Sequence, residues 1–220
     1  MAISLKETGK LVADNKTNLI LHSYRRCPFA IRVRMVLEEK NLPYTVIEEK
    51  SLSHPSMELL RVSPEGKVPV LLHQDFVLPE SAIITEYLEE TFPEPQLSPS
   101  DPKNKAEMRL WTAWCHHQFK PDLDLYKYKL DQLAQQDQEA LLARMQSHIR
   151  KFENQLRYGD FLLENKFSLA DIHVFPFFRQ LSKARQDFME KFNPTLSMQW
   201  LDRIQSRTSF ERVMRKVEPA

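Results

Sequence analysis

Four prolines fall within eleven residues near the middle of the chain, in the segment FPEPQLSPSDP that runs from Phe92 to Pro102. Proline fixes φ and lacks a backbone donor, so this segment predicts a linker rather than a helix or a central strand. A chain of 220 residues is long enough for two domains of about 100 residues each. We therefore expect a tail over residues 1–18, a domain over 19–92, a linker over 93–102 and a second domain over 103–220.

The first domain alternates short apolar runs with apolar residues at helical spacing, which is typical of an α/β fold. The predicted elements are, in chain order, a strand at Leu19–Ser23, a helix through Phe29, Val33, Val36 and Leu37, a strand at Tyr44–Ile47, a short helix between Pro55 and Arg61, strands at Val68–His73 and Phe76–Leu78 around a Gln74–Asp75 turn, and a helix through Ile84, Tyr87 and Leu88. The order is strand, helix, strand, helix, strand, strand, helix.

The second domain shows helical spacing almost throughout, so we predict that it is all-α. The predicted core stripes are Ala106, Leu110, Ala113 and Trp114, then Leu141, Met145, Ile149, Phe152 and Leu156, and finally Leu196, Trp200 and Ile204. Ser168 and Asp171 have the spacing of a capping box at the start of a helix. Pro176 falls inside that helix, where it predicts a kink or a turn that packing compensates.

Composition excludes several classes of function. Basic and acidic residues number 31 and 30, so no strong field attracts nucleic acid or an acidic membrane surface. The three glycines, Gly9, Gly66 and Gly159, are too far apart for a phosphate-binding loop. Cys27 and Cys115 cannot build a disulfide framework, which favours reduced thiols in the cytoplasm. Neither a membrane span nor a signal peptide is indicated, because no apolar run approaches ~18 residues and the tail lacks a continuous apolar stretch.

The segment YRRCPFA, residues 24–30, places Cys27 between a predicted strand and a predicted helix. Pro28 suits the first helical turn, so Cys27 is expected at the helix N-terminus, where free N–H groups and the helix dipole favour an anion. The two preceding arginines and Arg32, about one turn further, add positive charge. Such surroundings lower a cysteine pKa from about 8.5 to between about 3.5 and 7.5. We interpret Cys27 as a reactive thiolate rather than an inert core cysteine.

The fourth position of the CPFA motif is Ala30, so Cys27 has no neighbouring thiol to resolve a disulfide. A disulfide reaction at Cys27 then needs an external thiol. Cys115 lies in an aromatic-rich helical stripe, where we expect it to pack in the core. The same stripe can alternatively line an acceptor pocket through Trp111, Trp114, Cys115 and Tyr126.

Proline inside the strand-like run Gly66–Leu71 conflicts with a central strand. The conflict resolves if Pro69 opens an edge strand after a cis bond, which leaves the backbone N–H and C=O of Val68 available to an extended, peptide-like ligand. An ordinary edge strand with a trans proline is the alternative.

Glu80 and Ser81 directly precede the last predicted helix of the first domain. Ser81 is a natural N-cap. The pair can also bind a ligand, because a helix N-terminus attracts a carboxylate and Glu80 can accept from an ammonium group.

Taken in chain order, Cys-Pro-Phe-Ala, Gly-Lys-Val-Pro-Val-Leu and Glu-Ser before a helix, followed by a helical domain, resemble the cytosolic glutathione transferase superfamily. The resemblance runs from about Leu19 to about Arg215, and the chain looks most like the cysteine-type, omega-like members. The resemblance implies a thioredoxin-like N-terminal domain, a helical C-terminal domain and a homodimer. It also implies thiol transfer or dehydroascorbate-type reduction with glutathione as co-substrate, no metal, and weaker conjugation activity.

The resemblance implies that Cys27 is the catalytic thiol. Glutathione would then be held by Phe29 in the wall beside the thiol, Val68 and cis-Pro69 at the cysteinyl backbone, and Glu80 and Ser81 at the γ-glutamyl end. Omega-like members usually carry a lysine, before a proline, that meets the glycyl carboxylate. Here His54 stands before Pro55, which predicts weaker or more strongly pH-dependent glutathione binding, unless His54 is simply a surface histidine.

The C-terminal half is also similar to stringent starvation protein A, a non-enzymatic partner of bacterial RNA polymerase. The similarity lies in Phe92–Leu97, Phe167–Asp171 and Arg207–Phe210. That family lacks the catalytic cysteine and has histidine where Glu94 stands between the linker prolines. Both differences favour an enzyme, and a binding protein that recruits a macromolecular partner is the alternative function.

Two further candidates are weaker. Tyr24 can activate a glutathione thiol, as tyrosine-type enzymes do, but the adjacent cysteine is better suited to the chemistry. His116 and His117 are neighbours in sequence, so on a helix their side chains point about 100° apart and cannot chelate one metal ion.

Overall fold

A computed structural model describes residues 18–184 and 186–216 of the chain. The predicted tail, except for its last residue, therefore lies outside the described residues. The chain forms two compact units, one containing residues 18–93 and 213–216 and the other residues 94–212. The sequence predicts a second domain from residue 103 onward, whereas residues 213–216 group with the first unit.

The first unit has the predicted order of strands and helices. Its elements are β1 (Leu19–Ser23), α1 (Pro28–Glu39), β2 (Tyr44–Glu48), α2 (Met57–Val62), β3 (Val70–His73), β4 (Phe76–Pro79) and α3 (Ser81–Thr91). The unit is thioredoxin-like, a four-stranded mixed sheet combined with helices.

The sheet has the strand order β2-β1-β3-β4. Strands β1 and β2 are parallel, with Leu19 opposite Tyr44, and β3 is antiparallel to both β1 and β4. The predicted edge strand at Pro69 is therefore wrong, because β3 is an interior strand. Pro69 lies just before Val70, the first paired residue of β3, so its missing N–H removes no hydrogen bond from the ladder.

Helix α1 supports the site described below. Its residues from Ala30 to Leu37 are all buried, and it packs against α3. Lys40, at the end of α1, pairs with Glu89 at 2.7 Å and donates to the carbonyl oxygen of Phe92 at 2.8 Å. These contacts fix the end of α1 against the end of α3.

The second unit is all-helical, as predicted. Its elements are α4 (Pro102–Trp114), a π-helical turn (Cys115–Phe119), α5 (Lys120–Tyr128), a 3-10 turn (Leu130–Gln132), α6 (Gln135–Gln155), a second 3-10 turn (Leu156–Tyr158), α7 (Leu169–Ala184), α8 (Gln186–Phe192) and α9 (Thr195–Gln205). Helix α10 (Thr208–Met214) begins in this unit and ends in the first. Residues 92–101 contain no helix or strand, and the Glu94–Pro95 bond is cis.

The structure buries the α6 stripe completely and the α9 stripe except for Leu196, which is half-buried. The α6 stripe from Leu141 to Leu156 is in the core, as are Trp200 and Ile204 of α9. The α4 stripe is wrong at Ala106, Leu110 and Ala113, which are exposed, and right only at Trp114. The buried residues of α4 are Met108, Trp111 and Trp114.

The predicted capping box opens α7. The carboxylate of Asp171 accepts from the backbone N–H of Ser168 at 3.0 Å and from its hydroxyl at 3.1 Å. It also accepts from the N–H of Leu162 at 2.9 Å and from the indole of Trp200 at 2.8 Å. Burial raises the pKa of Asp171 to about 6, although these hydrogen bonds oppose the shift. Pro176 lies within α7, which continues to Ala184.

In the part of the chain that the structure describes, no helix combines the length and the apolar character that crossing a membrane requires.

Candidate active site

Cys27 occupies the position that the sequence predicts. It is the N-cap residue of α1 and Pro28 follows it in the first turn. The backbone N–H of Cys27 donates to the carbonyl oxygen of Tyr24 at 2.8 Å, which closes the turn between β1 and α1. The side chain makes no capping hydrogen bond, so the sulfur stands at the N-terminal end of the helix dipole without neutralising the helix N–H groups.

The Cys27 sulfur lies 3.9 Å from the carbonyl oxygen of Val68, and the Val68–Pro69 bond is cis, as predicted. Within the described residues, no hydrogen bond involves the backbone N–H of Val68. Cys27 is 8% exposed and belongs to an apolar cluster. That cluster contains Tyr24, Cys27, Phe29, Ala30, Leu59, Val62, Val68, Val70, Leu72 and Val77.

The arginines around Cys27 have partners of their own. The guanidinium of Arg25 donates to the carbonyl oxygen of Met214 at 3.2 Å, and that of Arg26 donates to the Tyr24 hydroxyl at 2.7 Å. Both guanidinium groups add positive charge near Cys27, but their hydrogen bonds are made to these oxygens and not to the Cys27 sulfur. Tyr24, the weaker alternative for activating a glutathione thiol, has its hydroxyl engaged by this hydrogen bond.

Arg32 links the start of α1 to the start of α3. Its guanidinium is fully buried, donates to the Ser81 hydroxyl at 3.3 Å and lies 5.3 Å from the centroid of the Phe29 ring. Sequence reasoning treated Arg32 only as a nearby charge and missed this positioning role. The signal was available, since a basic residue within the apolar run of an amphipathic helix requires a buried partner.

The Glu80–Ser81 pair differs from the prediction in one respect. Glu80, not Ser81, is the N-cap residue of α3, and Ser81 is its first helical residue. The predicted N-cap role of Ser81 is therefore wrong. Ser81 is buried and its hydroxyl accepts from Arg32, whereas Glu80 is exposed and has a positive φ of 72°.

His54 lies in the exposed loop before α2, where its Nδ1 is 3.1 Å from the Ser53 hydroxyl oxygen. This loop passes against the loop that leads to Val68. A Cβ atom built on Gly66, which has a φ of 63°, would lie 2.7 Å from the ring of Pro55. The structure thus brings Cys27, Phe29, Val68 and Pro69 together and places the His54 loop beside them. His54 and Glu80 are exposed, whereas Cys27 is buried.

Cys115 packs in the core of the helical unit, as predicted. It is fully buried and its sulfur lies 3.9 Å from the carbonyl oxygen of His173. Trp114 and Tyr126 are also buried, so these aromatic residues serve as core. No cluster suited to a metal ion occurs in residues 18–184 and 186–216.

Two family models match the chain. The glutathione S-transferase N-terminal domain matches residues 21–96 and the glutathione S-transferase C-terminal domain matches residues 107–207. The crystal structure of glutathione transferase Omega 3C from Trametes versicolor superposes with a TM-score of 0.78 at 27% identity, covering 91% of this chain and 90% of that one.

Similar sequences include probable glutathione S-transferase GSTU6 of Oryza sativa subsp. japonica, which is 42% identical over 100 residues. That alignment covers 43% of this chain and 42% of the rice protein, less than two thirds of its length. The stringent starvation protein A homolog of Histophilus somni is 26% identical over 86% of each chain.

The two matching family models cover both units, and the thioredoxin-like sheet of the first unit and the helices of the second have the fold that these domains share. The chain belongs to the cytosolic glutathione transferase superfamily.

Proposed function

We propose that this protein is an omega-like, glutathione-dependent thiol transferase that works through Cys27. The observation that carries the proposal is the position of Cys27 at the N-cap of α1, followed by Pro28, with its sulfur 3.9 Å from the carbonyl oxygen of Val68. A helix N-terminus stabilises a thiolate, and the thiolate is the reactive form of cysteine.

The proposed reaction is thiol–disulfide exchange. The Cys27 thiolate attacks the glutathionyl sulfur of a mixed disulfide, the old S–S bond breaks, and the departing thiolate takes a proton from water. Cys27 is then joined to glutathione by a new S–S bond. The thiolate of a second glutathione attacks that adduct, releases glutathione disulfide and regenerates the Cys27 thiolate. The external thiol is needed because Ala30 occupies the position of a resolving cysteine.

Glutathione would be held by the backbone around this thiol. The N–H and C=O groups of Val68, before cis-Pro69, are suited to the cysteinyl part of the tripeptide. Glu80 and Ser81 at the start of α3 would hold the γ-glutamyl end, Phe29 would form the adjacent wall, and His54 would meet the glycyl carboxylate. Dehydroascorbate-type reduction would use the same residues, with conjugation a weaker activity.

The test is direct detection of the adduct. The reduced protein is incubated with glutathione disulfide, digested without reductant and analysed by mass spectrometry, with the Cys115 peptide as an internal control. We expect one glutathionyl group on the Cys27 peptide and none on the Cys115 peptide, followed by release when reduced glutathione is added. A protein that stays unmodified, or that is modified equally at both cysteines, would overturn the proposal.

A second candidate function is favoured by the likeness to the stringent starvation protein A homolog, which spans 86% of both chains. In that case the protein would be a non-enzymatic binding protein that recruits a macromolecular partner. Retention on glutathione-agarose together with turnover of a glutathionyl disulfide supports the enzyme. A protein that shows neither is expected to act by binding.

The same proposal includes a cytoplasmic homodimer. Leu110 on α4 is 66% exposed and lies with Ala106 and Ala113 on one apolar face of the helical unit, while Ile83 on α3 is 56% exposed. Contiguous exposed apolar faces often mark protein–protein contacts, and a two-fold dimer is the commonest assembly. Light scattering at micromolar protein should give about twice the chain mass of 26.0 kDa, and a monomer alone would contradict the dimer.

A further inference from the structure

A single side chain, that of Glu49, joins the two ends of the loop before α2, which comprises residues 50–55. Glu49 directly follows β2, and its backbone N–H donates to the carbonyl oxygen of Ser23 at 2.7 Å. Its carboxylate oxygens accept from the backbone N–H of Ser56 at 3.0 Å and from the Ser56 hydroxyl at 2.9 Å. Ser56 is the N-cap residue of α2, and its hydroxyl oxygen accepts from the N–H of Leu59 at 3.0 Å. Glu49 therefore fixes both the start and the end of loop 50–55.

Loop 50–55 has few other contacts that could hold it in place. Within the described residues, its side-chain hydrogen bonds run between its own serine and histidine side chains. Pro55, at the end of the loop, packs against Gly66 in the segment that leads to Val68. The position of the loop beside Val68 therefore depends on Glu49 and on Pro55.

The carboxylate of Glu49 is buried, although burial is costly for such a group. Glu49 is 4% exposed, and among the described residues no lysine or arginine pairs with it. It faces the equally buried His22 of β1, whose Nδ1 lies 3.6 Å from a Glu49 oxygen and makes no hydrogen bond. Hydrogen bonds and a partner offset the cost of burying a carboxylate only in part. The contribution of Glu49 is therefore sought in the loop conformation that it imposes, more than in stability.

We propose that Glu49 is a positioning residue for the glycyl end of glutathione, acting through loop 50–55. This inference rests on the proposed function, since it requires a glutathione-like tripeptide that lies along Val68. While Glu49 holds both ends of the loop, His54 and the backbone beside it stand where the glycyl carboxylate of that tripeptide would arrive. Without the bonds to Ser56 the loop has more conformations, and binding then carries the entropic cost of ordering it.

The test compares two ligands by isothermal titration calorimetry, S-methyl glutathione and S-methyl-γ-glutamylcysteine, which lacks the glycine. At pH 6, where histidine side chains can carry charge, wild type should bind the tripeptide about fivefold more tightly, the size expected for one exposed ionic contact. Glu49→Gln keeps the size of the side chain but has one acceptor oxygen instead of two, so it loses one of the bonds from Ser56. It should lower the affinity for the tripeptide by about fivefold and leave that for the dipeptide within about twofold of wild type.

The matched control is Glu58→Gln, which removes the same charge from an exposed residue of α2. Both of its affinities should stay within about twofold of wild type. Ser56→Ala removes the hydroxyl bond from the other end of the loop and should also weaken only tripeptide binding, so it decides the question if Glu49→Gln does not fold.

Two kinds of failure are distinguishable in this experiment. The inference alone is overturned if wild type binds the two ligands equally, if Glu49→Gln and Ser56→Ala bind the tripeptide as wild type does, if they weaken both ligands to the same extent, or if Glu58→Gln loses as much as they do. A wild type that binds neither ligand would overturn the proposed function and this inference with it.

Discussion

Cys27 and Cys115 are both buried, at 8% and 0% exposure, and the sulfur of each lies 3.9 Å from a backbone carbonyl oxygen. They differ in where they stand on a helix. Cys27 is the N-cap of α1, whereas Cys115 follows α4 directly and opens the π-helical turn Cys115–Phe119 within continuous helix. A helix N-terminus favours an anion and a helix interior does not. Position along the helix, more than exposure, therefore separates the proposed nucleophile from a packing residue.

Serine substitution at each cysteine should give opposite results. Cys27→Ser should lower glutathione-dependent thiol transfer by at least about 100-fold. A serine hydroxyl stays protonated near neutral pH, so it cannot replace the thiolate as the nucleophile. Cys115→Ser should leave activity per folded molecule unchanged while lowering the free energy of unfolding by about 1–3 kcal/mol, because it introduces a polar hydroxyl into a packed core. Disulfide-exchange assays and urea unfolding measure the two effects. A Cys115→Ser protein that folds normally but loses activity would contradict the comparison.

The helical unit contains a second buried group whose role we expect to be structural, the carboxylate of Asp171. Its pKa is raised to about 6 in the folded protein, so the folded state binds a proton more readily than the unfolded state. Its contribution to stability should be greatest below about pH 4 and should fall by about 2–3 kcal/mol as the pH rises to about 6.

Asn at this position does not titrate, so the free energies of unfolding of wild type and Asp171→Asn should be compared by urea titration from pH 4 to 7. The wild-type advantage should shrink as the pH rises. If the advantage grows instead, the four hydrogen bonds stabilise the charged carboxylate of Asp171 by more than burial destabilises it. Activity per folded molecule should be the same in both proteins, in contrast to Cys27→Ser.

The smallest expected effect is at His54 of the thioredoxin-like unit, where the test asks whether this residue holds the glycyl carboxylate. His54→Lys should tighten binding of S-methyl glutathione at pH 8 by about fivefold, because an exposed ion pair with the glycyl carboxylate contributes up to about 1 kcal/mol. Ser53→Lys adds the same charge one residue away and serves as the control. Calorimetry that finds equal affinities for wild type and His54→Lys would mean that another residue holds the glycyl end.

The sequence predicted most of the thioredoxin-like unit because its strands are short and sharply bounded. Strand β1 has the predicted bounds, and the cis bond before Pro69 follows from the conflict between proline and a strand. The interior position of β3 could not be predicted, since strand order depends on pairing between distant segments. The N-cap of α3 was misplaced by one residue because Glu80 adopts a positive φ that its residue type does not suggest.

The buried face of α4 shows why helical pattern alone is ambiguous. Ala106, Leu110 and Ala113 have helical spacing, but so do Met108, Trp111 and Cys115. Both sets form an apolar stripe, and only packing against other helices decides which faces the core. The same limit applies to the π-helical turn after α4, since nothing in its sequence marks the change of hydrogen-bonding pattern.

The central claim is that the N-terminus of α1 makes Cys27 a thiolate at neutral pH, against the opposing effect of its apolar surroundings. The measurement that tests it most directly is the rate of alkylation by iodoacetamide from pH 4 to 10, followed for both cysteine peptides by mass spectrometry in one folded sample. We expect the Cys27 rate to reach half its plateau below about pH 7.5, while Cys115 reacts slowly throughout. Equal rates for the two thiols, or a Cys27 rate that reaches half its plateau only near pH 8.5, as for an ordinary cysteine, would contradict the account.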